Sequence, residues 1–496
     1  MEGPVLIAGA GPVGLTAACA LTRLGVVVRI IDKAAARSQT SKALVLWPRT
    51  LELLDIEGCV EPFIQAGLKG TGARIHANGR ELVHVSLDTA RSPYNFALFL
   101  PQNETERLLE EQLGRLGVRV ERGTTLESFV DGGKDVTATL LDAAGRREET
   151  RFAALLGCDG AHSTVRHGLG VPFEGLTETA DFLLADVRID GDLPARELAL
   201  FWQPEGILAL FPIIGNRFRV IADTAPADTA APPELEEIQR LLDARGPGGL
   251  KAHDPIWLSR FRINERKVKD YARGRVFLLG DAAHIHSPAG GQGMNTGMQD
   301  AFNLAWKLAL ALDGRAGDAL LDSYSPERSA IGDQVLSNAS RMTHVAILRN
   351  PILQEIRNLA AGALGRIPAL RRRLVDQLSE LDLSYAASPL TSRGSSGHPA
   401  GGHRAPDIEL KPAAGEPTRL HALLRSGRFA LLSVGAPRPD LPHDLADLVV
   451  RAEADGGSGY DAGRHYLIRP DAYVAAVADD GHPQGIVEHL RAVVTR

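Results

Sequence analysis

Residues 280–295 read GDAAHIHSPAGGQGMN and set a carboxylate (Asp281), a proline (Pro288) and four glycines (Gly280, Gly290, Gly291, Gly293) in one short segment. The run Arg275-Val276-Phe277-Leu278-Leu279 precedes it, and Ala301, Leu304, Ala305, Leu308 and Leu312 follow at helical spacing. This pattern predicts a strand, a loop and a helix that begins near Asn295. Unpaired amides at a helix start favour negative charge, and glycines let the backbone approach a ligand closely. The segment therefore suits gripping something flat and polar.

Two other segments point to a nucleotide. Gly9-Ala10-Gly11-Pro12-Val13-Gly14 is a GxGxxG that follows the apolar strand 5–8 and opens a helix closed by Gly25. Gly9 allows the tight turn, Gly11 lets the backbone approach a pyrophosphate, and Gly14 permits close helix packing. Asp32 ends the next strand, where a carboxylate binds ribose hydroxyls and repels a 2′-phosphate, so FAD or NAD is favoured here over NADP. Lys33 beside it joins the expected cofactor-binding set. Gly157-Cys158-Asp159-Gly160-Ala161-His162-Ser163-Thr164-Val165-Arg166 offers an acceptor (Asp159), a hydroxyl (Ser163) and a cation (Arg166) near a phosphate-bearing ligand, the alternative being a plain Asp-Gly turn. His284 and His286 form a lone pair without carboxylate or cysteine partners, so no metal is expected.

The elements that must position these groups follow from composition and periodicity. The chain has 496 residues, 44% hydrophobic and 23% charged, enough for two or three globular domains. A net charge of -6 argues against a nucleic-acid partner. Cys19, Cys59 and Cys158 are too few and too scattered for a disulfide framework or zinc site, which points to a reducing cytoplasm. No charged leader and no run of about 18 apolar residues is present, so no membrane association is expected.

Helices at about 49–54 and 104–116 surround a β-like segment containing Leu82, Val83, Val85, Ala97, Leu98 and Phe99. Strands at 182–189, 198–202, 207–213 and 218–222 predict an antiparallel sheet, whose Phe201, Trp202, Phe211 and Phe218 either line an apolar pocket or are core. A helical region at 324–378 gives way to a Gly, Ser, Pro and Ala-rich linker at 388–417. A small alternating unit follows: strand 429–434, helix 444–454, strands near 466–468 and 473–477, and helix 484–494.

With these three motifs in this order, the chain resembles the class A flavoprotein monooxygenases of the p-hydroxybenzoate hydroxylase-like group, above all their phenol hydroxylase and polyketide hydroxylase branches. The resemblance implies an α/β fold: a Rossmann-like FAD-binding domain (1–70, 101–175 and 271–345) with an inserted antiparallel substrate sheet (71–100 and 176–270). A helical segment (346–385), a linker (386–417) and a C-terminal thioredoxin-like α/β domain (418–496) complete it. Every cysteine lies before residue 159, so that last domain has no CxxC and no thiol chemistry.

The resemblance also implies activity and roles. The family reduces bound FAD with NADPH or NADH, then transfers oxygen from a flavin hydroperoxide to an electron-rich aromatic ring. Asp32 falls on the adenosine ribose, Arg49 and Gln102 along the pyrophosphate and ribityl chain, and Asp281 on the ribityl hydroxyls. Asp159, Ser163 and Arg166 support FAD and the passing nicotinamide nucleotide. Pro288 sits against flavin and substrate, and Gly293, Met294 and Asn295 meet the pyrimidine edge, with Pro288 and Asn295 as the catalytic pair. The chain departs from phenol hydroxylases in having no acid at 43–48 ahead of Arg49. It also lacks a clear counterpart of the tyrosine pair that deprotonates p-hydroxybenzoate. Both departures favour a larger, more acidic phenol or quinone-like ring over a simple phenol. Baeyer–Villiger oxidation, epoxidation and a reductase without oxygen activation stay open as alternatives. The C-terminal domain either mediates homodimerisation or only covers the core.

Overall fold

The computed structural model describes residues 3–40, 43–226, 231–412, 418–457 and 459–494, without the side chains of 178 and 179. Strands β1 (Val5–Ala8), β2 (Val28–Asp32), β3 (Ala154–Gly157) and β4 (Val276–Leu278) form the parallel centre of a six-stranded sheet in the order β4-β3-β1-β2. β1, β3 and β4 are buried along their whole length, which explains their unbroken apolar runs. Helices α1 (Pro12–Arg23), α2 (Pro48–Ile56) and α3 (Gly293–Leu312) pack with this sheet in one core. The crossing of α1 and α3 is close because glycines make it so. A Cβ on Gly280 would stand 2.7 Å from Val13 Cγ2, and one on Gly297 would stand 3.0 Å from Gly280 Cα.

The second sheet has eight strands and is antiparallel, as expected, except at one pair. Glu197–Gln203 pairs parallel with Gly72–Ala77, because the chain returns to it from the first domain instead of through a hairpin. Ala97–Phe99 does not join it. That strand pairs with Val45–Leu46 and Leu68–Gly70 in a separate three-stranded sheet. His284–Ile285, from the Gly-Asp segment itself, adds the edge strand next to Lys251–Lys267, so the two domains share backbone pairing beside the candidate site.

Side-chain alternation divides the aromatics of this sheet between two faces. Phe201 and Phe218 lie in the core covered by helix Leu235–Arg245. Phe211 turns the other way, with its ring centroid 6.3 Å from that of Phe99, and packs with Val45, Trp47 and Val83. Trp202 is covered by Arg357, 4.3 Å from its ring centroid.

The helical region expected as one stretch is three helices: α4 (Tyr324–Ala346), α5 (Pro351–Leu364) and α6 (Pro368–Leu378). Each break falls before a proline at the first helical position, and Asn350 caps the amides of Ile352 and Leu353. Within the expected linker, Leu390, Ala405, Ile408 and Leu410 are buried, and isolated backbone bridges join Arg404 to Tyr473 and Glu409 to Arg419.

The C-terminal sheet runs Val449–Ala454, Phe429–Val434, Arg464–Ile468, Val474–Asp479, its first two strands parallel and the rest antiparallel, followed by helix Gln484–Val494. Residues 444–454, expected as a helix, hold a short 3-10 turn at His443–Leu445 and then the strand Val449–Ala454. Ladder pairing with a fully buried central strand outweighs the helix-forming alanines and glutamate here. No helix among the described residues is long and apolar enough to cross a membrane.

Candidate functional site

All three motifs leave the carboxyl ends of adjacent parallel strands, Gly9 after β1, Asp159 after β3 and Gly280 after β4. This edge of an open parallel sheet is where such folds bind ligands. Backbone bonds lock the register: Gly9 N donates to Ile31 O at 2.9 Å, Cys158 N to Ala8 O at 2.8 Å, and Leu279 N to Gly157 O at 3.0 Å.

The glycines of the first motif play distinct parts. Gly9 has φ 102°, and a Cβ there would lie 2.3 Å from Cys158 O; a Cβ on Gly14 would lie 1.9 Å from Gly9 O. Gly11 has nothing within 4 Å of its would-be Cβ. It caps α1 beside amides that point out of the first turn, so open space and a positive helix end coincide. This is the cradle that a pyrophosphate requires. Asp32 stands at its side, with Oδ2 accepting from Ala10 N and Oδ1 from Ala34 N, both at 2.8 Å. Lys33 is exposed next to it. Gln102 begins helix Gln102–Arg115, its Nε2 donating to Glu106 Oε1 at 2.8 Å.

The Asp-Gly motif is anchored to the Gly-Asp motif. Ser163 Oγ accepts from Arg166 N, and Asp159 Oδ2 from Val165 N. The buried Arg166 guanidinium donates to Ala282 O at 3.1 Å and Ala161 O at 2.7 Å and lies 4.0 Å from the Phe173 ring centroid. Burial lowers the Arg166 pKa, with Asp159 opposing the shift. Asp159 Oδ1 is buried without a hydrogen-bond partner, an acceptor still to be satisfied at the nucleotide edge.

At the third motif, Asp281 is exposed in the short turn Gly280–Ala282, and Pro288 is exposed on the loop before α3. The first intrahelical bond of α3, Thr296 N to Gln292 O at 2.8 Å, leaves the amides of Gly293, Met294 and Asn295 at the helix mouth. The sheet edge, the open Gly11 and this second helix mouth fit a dinucleotide with an extended flavin.

Two of the expected site residues have their side chains engaged within the protein. The Asn295 side chain is fully buried and accepts from Trp47 N at 2.9 Å while donating to Val45 O and Gly291 O. It ties the loop to the strand at Val45–Leu46, a positioning role, because all its polar atoms are already used. Arg49 is fully buried. Its guanidinium donates to Glu52 Oε2 and Asp471 O and stacks on Tyr473, joining α2 to the C-terminal domain.

Sequence reasoning missed the scaffold beneath the Gly-Asp loop. Asp300 is fully buried and accepts from Gly280 N at 2.9 Å, His284 Nε2 at 2.9 Å and Arg328 Nε at 2.6 Å. Burial alone would raise its carboxyl, but Arg328 and then His284 hold it below the usual range. The signal was a carboxylate on a helix where other buried polar residues, Thr296, Gln299, Asn303 and Lys307, recur at helical spacing. His286, donating from Nδ1 to Ser287 O at 2.8 Å, is driven down to about 4 by burial and the adjacent His284. Its Nε2 faces Gly293, 3.4 Å from that residue's would-be Cβ. Among the described residues, no group of three or more His, Cys, Asp or Glu side chains is arranged to hold a metal ion.

Residues 2–339 match the FAD binding domain family model, and 398–496 match the C-terminal domain of aromatic-ring hydroxylases. The chain is 37% identical to a 6-methylpretetramide 4-monooxygenase of Streptomyces rimosus, across 99% of this chain and 94% of that one. Its fold is similar to an anhydrotetracycline hydroxylase from Streptomyces rimosus, with a TM-score of 0.82 and 32% identity over 100% of both chains. It is also 34% identical to a dialkyldecalin synthase of Streptomyces rugosporus, over 96% of each. Motifs, geometry and relatives agree: the chain belongs to the FAD-binding aromatic-ring hydroxylase family and is a flavin-dependent monooxygenase.

Proposed function

We propose that this protein hydroxylates a polycyclic, polyketide-like phenol or quinone, with NADPH or NADH as reductant. The observation that carries the reading is the second helix mouth at Gly293–Asn295, tied through Asn295 and Gly290 to Val45 and Trp47 of the apolar cluster against which Phe211 packs. Bound FAD would supply the oxygen-activating chemistry, and the chain supplies position and exclusion of water. Asp32 and Lys33 would hold the adenosine ribose and its neighbour, the Gly11 cradle the pyrophosphate, and Gln102 and Asp281 the ribityl chain. Asp159 and Arg166 would serve the nucleotide edge. The amides of Gly293, Met294 and Asn295 would face the pyrimidine edge, where reduction places negative charge, and Pro288 would abut the ring system.

Tetracycline-type substrates of the relatives support a large fused ring, as does the absence of an acid at 43–48. Such rings ionise without a dedicated base. The test is a panel of fused-ring phenols scored for accelerated NAD(P)H consumption, with product and peroxide measured together. Simple phenols that couple better than fused rings would overturn the substrate class.

Three buried free cysteines suit a reducing cytoplasm. A homodimer would form on α5, where Ile352, Leu353, Ile356 and Leu359 point outward while Gln354 and Arg357 are buried. Sedimentation across a concentration series tests it, and a monomer at every concentration would refute it.

A further inference from the structure

Behind the mouth of α3 lies a carboxyl that the chemistry above does not use. Glu380, just past α6, is fully buried and has φ 59°, a left-handed conformation uncommon outside glycine and asparagine. Its Oε1 lies 3.3 Å from Thr296 Oγ1, and its Oε2 lies 2.5 Å from Gln299 Nε2. The same segment also grips the helix elsewhere, through Gln292 Nε2 to Gln377 O at 2.8 Å, and it takes Arg49 N onto Ser379 O.

A threonine hydroxyl has one proton, and Thr296 Oγ1 stands between Gln292 O at 3.0 Å, which already accepts from Thr296 N, and Glu380 Oε1 at 3.3 Å. At most that one shared hydroxyl proton and the Gln299 carboxamide support a charge on Glu380. Turning the Gln299 carboxamide over would set its oxygen, otherwise buried without a partner, against Glu380 Oε2, a contact that only a protonated carboxyl satisfies.

Among the described residues, no cation forms an ion pair with this carboxyl. Arg328 of α4 is spent on Asp300 Oδ1, Tyr385 OH and Thr296 O. Asp300 of α3 is taken up by Arg328, His284 and Gly280 N, and Arg49 of α2 by Glu52 and Asp471. On its own segment Arg371, Arg372 and Arg373 are exposed, Asp376 and Asp382 are negative, and Asp382 opposes ionisation of Glu380 directly.

We propose that Glu380 is held as a neutral carboxylic acid under the first turns of α3, positioning Thr296 and Gln299 and keeping negative charge away from the helix mouth. Burial, against the pull of Arg328 and both hydrogen bonds, pushes the carboxyl up to about 8. A carboxylate at that place would offset the partial positive charge of about half a unit at the helix end. Resting on the reading that this mouth meets the flavin, Glu380 is a positioning residue that sets how strongly the reduced, anionic cofactor is favoured. Loss of its proton at alkaline pH weakens that preference.

Two measurements on the full chain test this. Infrared difference spectra between the wild type and Glu380→Gln near neutral pH should contain the carbonyl band of one protonated carboxylic acid, sensitive to deuterium exchange. A carboxylate band in its place overturns the proposal whether or not flavin is bound. In the flavin-loaded protein, the midpoint potential of wild type should fall more steeply with pH as Glu380 ionises. Glu380→Gln should keep the neutral-pH potential and lose the extra inflection. Superimposable pH profiles refute the link to the cofactor. Should Glu380→Gln fold poorly, Glu380→Gly suits the left-handed backbone and removes the same proton. Failure to bind flavin at all would refute the functional reading and leave the infrared result standing.

Discussion

Gly280→Ala isolates the contact on which the Gly-Asp loop depends. The residue has φ 56°, and an added Cβ would approach Val13 Cγ2 to 2.7 Å. Left-handed backbone at a non-glycine residue costs about 1–2 kcal/mol, and an overpacked methyl costs about 1–3 kcal/mol. The substitution should therefore destabilise the protein by about 2–5 kcal/mol, measured by denaturant unfolding followed through intrinsic fluorescence and flavin release. The two parts separate in a double-mutant cycle. Val13→Ala removes the clashing methyls and leaves the backbone strain, so Gly280→Ala with Val13→Ala should recover about 1–3 kcal/mol relative to additivity. Gly297→Ala should be rescued less completely, because its Cβ also meets Gly280 Cα at 3.0 Å, and backbone cannot be trimmed. A loss below about 1 kcal/mol for Gly280→Ala, or strict additivity with Val13→Ala, would refute the claim that this crossing is set by glycine.

Other expectations follow from the same geometry. Asp281→Ala should weaken FAD retention by about 1.5–3 kcal/mol, about ten- to a hundredfold, read by equilibrium dialysis; unchanged retention would contradict its place on the ribityl chain. Arg328→Met leaves the buried Asp300 short of its cation and should cost about 3–5 kcal/mol, with thermal unfolding as the measure. Glu380 gives a pH signature with a definite sign. Its pKa is raised from 4.5 to about 8, so the folded state keeps a proton that the unfolded chain has released. That contribution is complete below the unfolded value and declines by about 1.4 kcal/mol per pH unit as pH rises toward the folded one. Glu380→Gln should flatten the stability profile across that window, and an unchanged slope would show that the group does not titrate there.

The parts of the site that local chemistry writes into sequence were legible. Gly9, Gly11 and Gly14 answer to turn geometry, close approach and packing within one βαβ unit, and Asp32 follows at the next strand end. Arg49 has a partner, Asp471, 422 positions away that no local pattern announces. The carboxamide of Asn295 is spent on Trp47, Val45 and Gly291, the first two of them some 250 positions earlier. The segment 449–454 reads as helix through alanine and glutamate and becomes strand by pairing with a buried neighbour. Glu380 left no trace in periodicity, because its significance lies in a backbone angle and in the proton inventory of residues some eighty positions earlier.

Turnover under isotopically labelled dioxygen tests oxygen transfer to a fused aromatic ring most directly. A fused-ring phenol should accelerate NAD(P)H oxidation, oxygen uptake should match reductant consumed, and one labelled atom should appear on a ring carbon of the product. Product formed without oxygen uptake, or label inserted between two carbons of the ring, would contradict it.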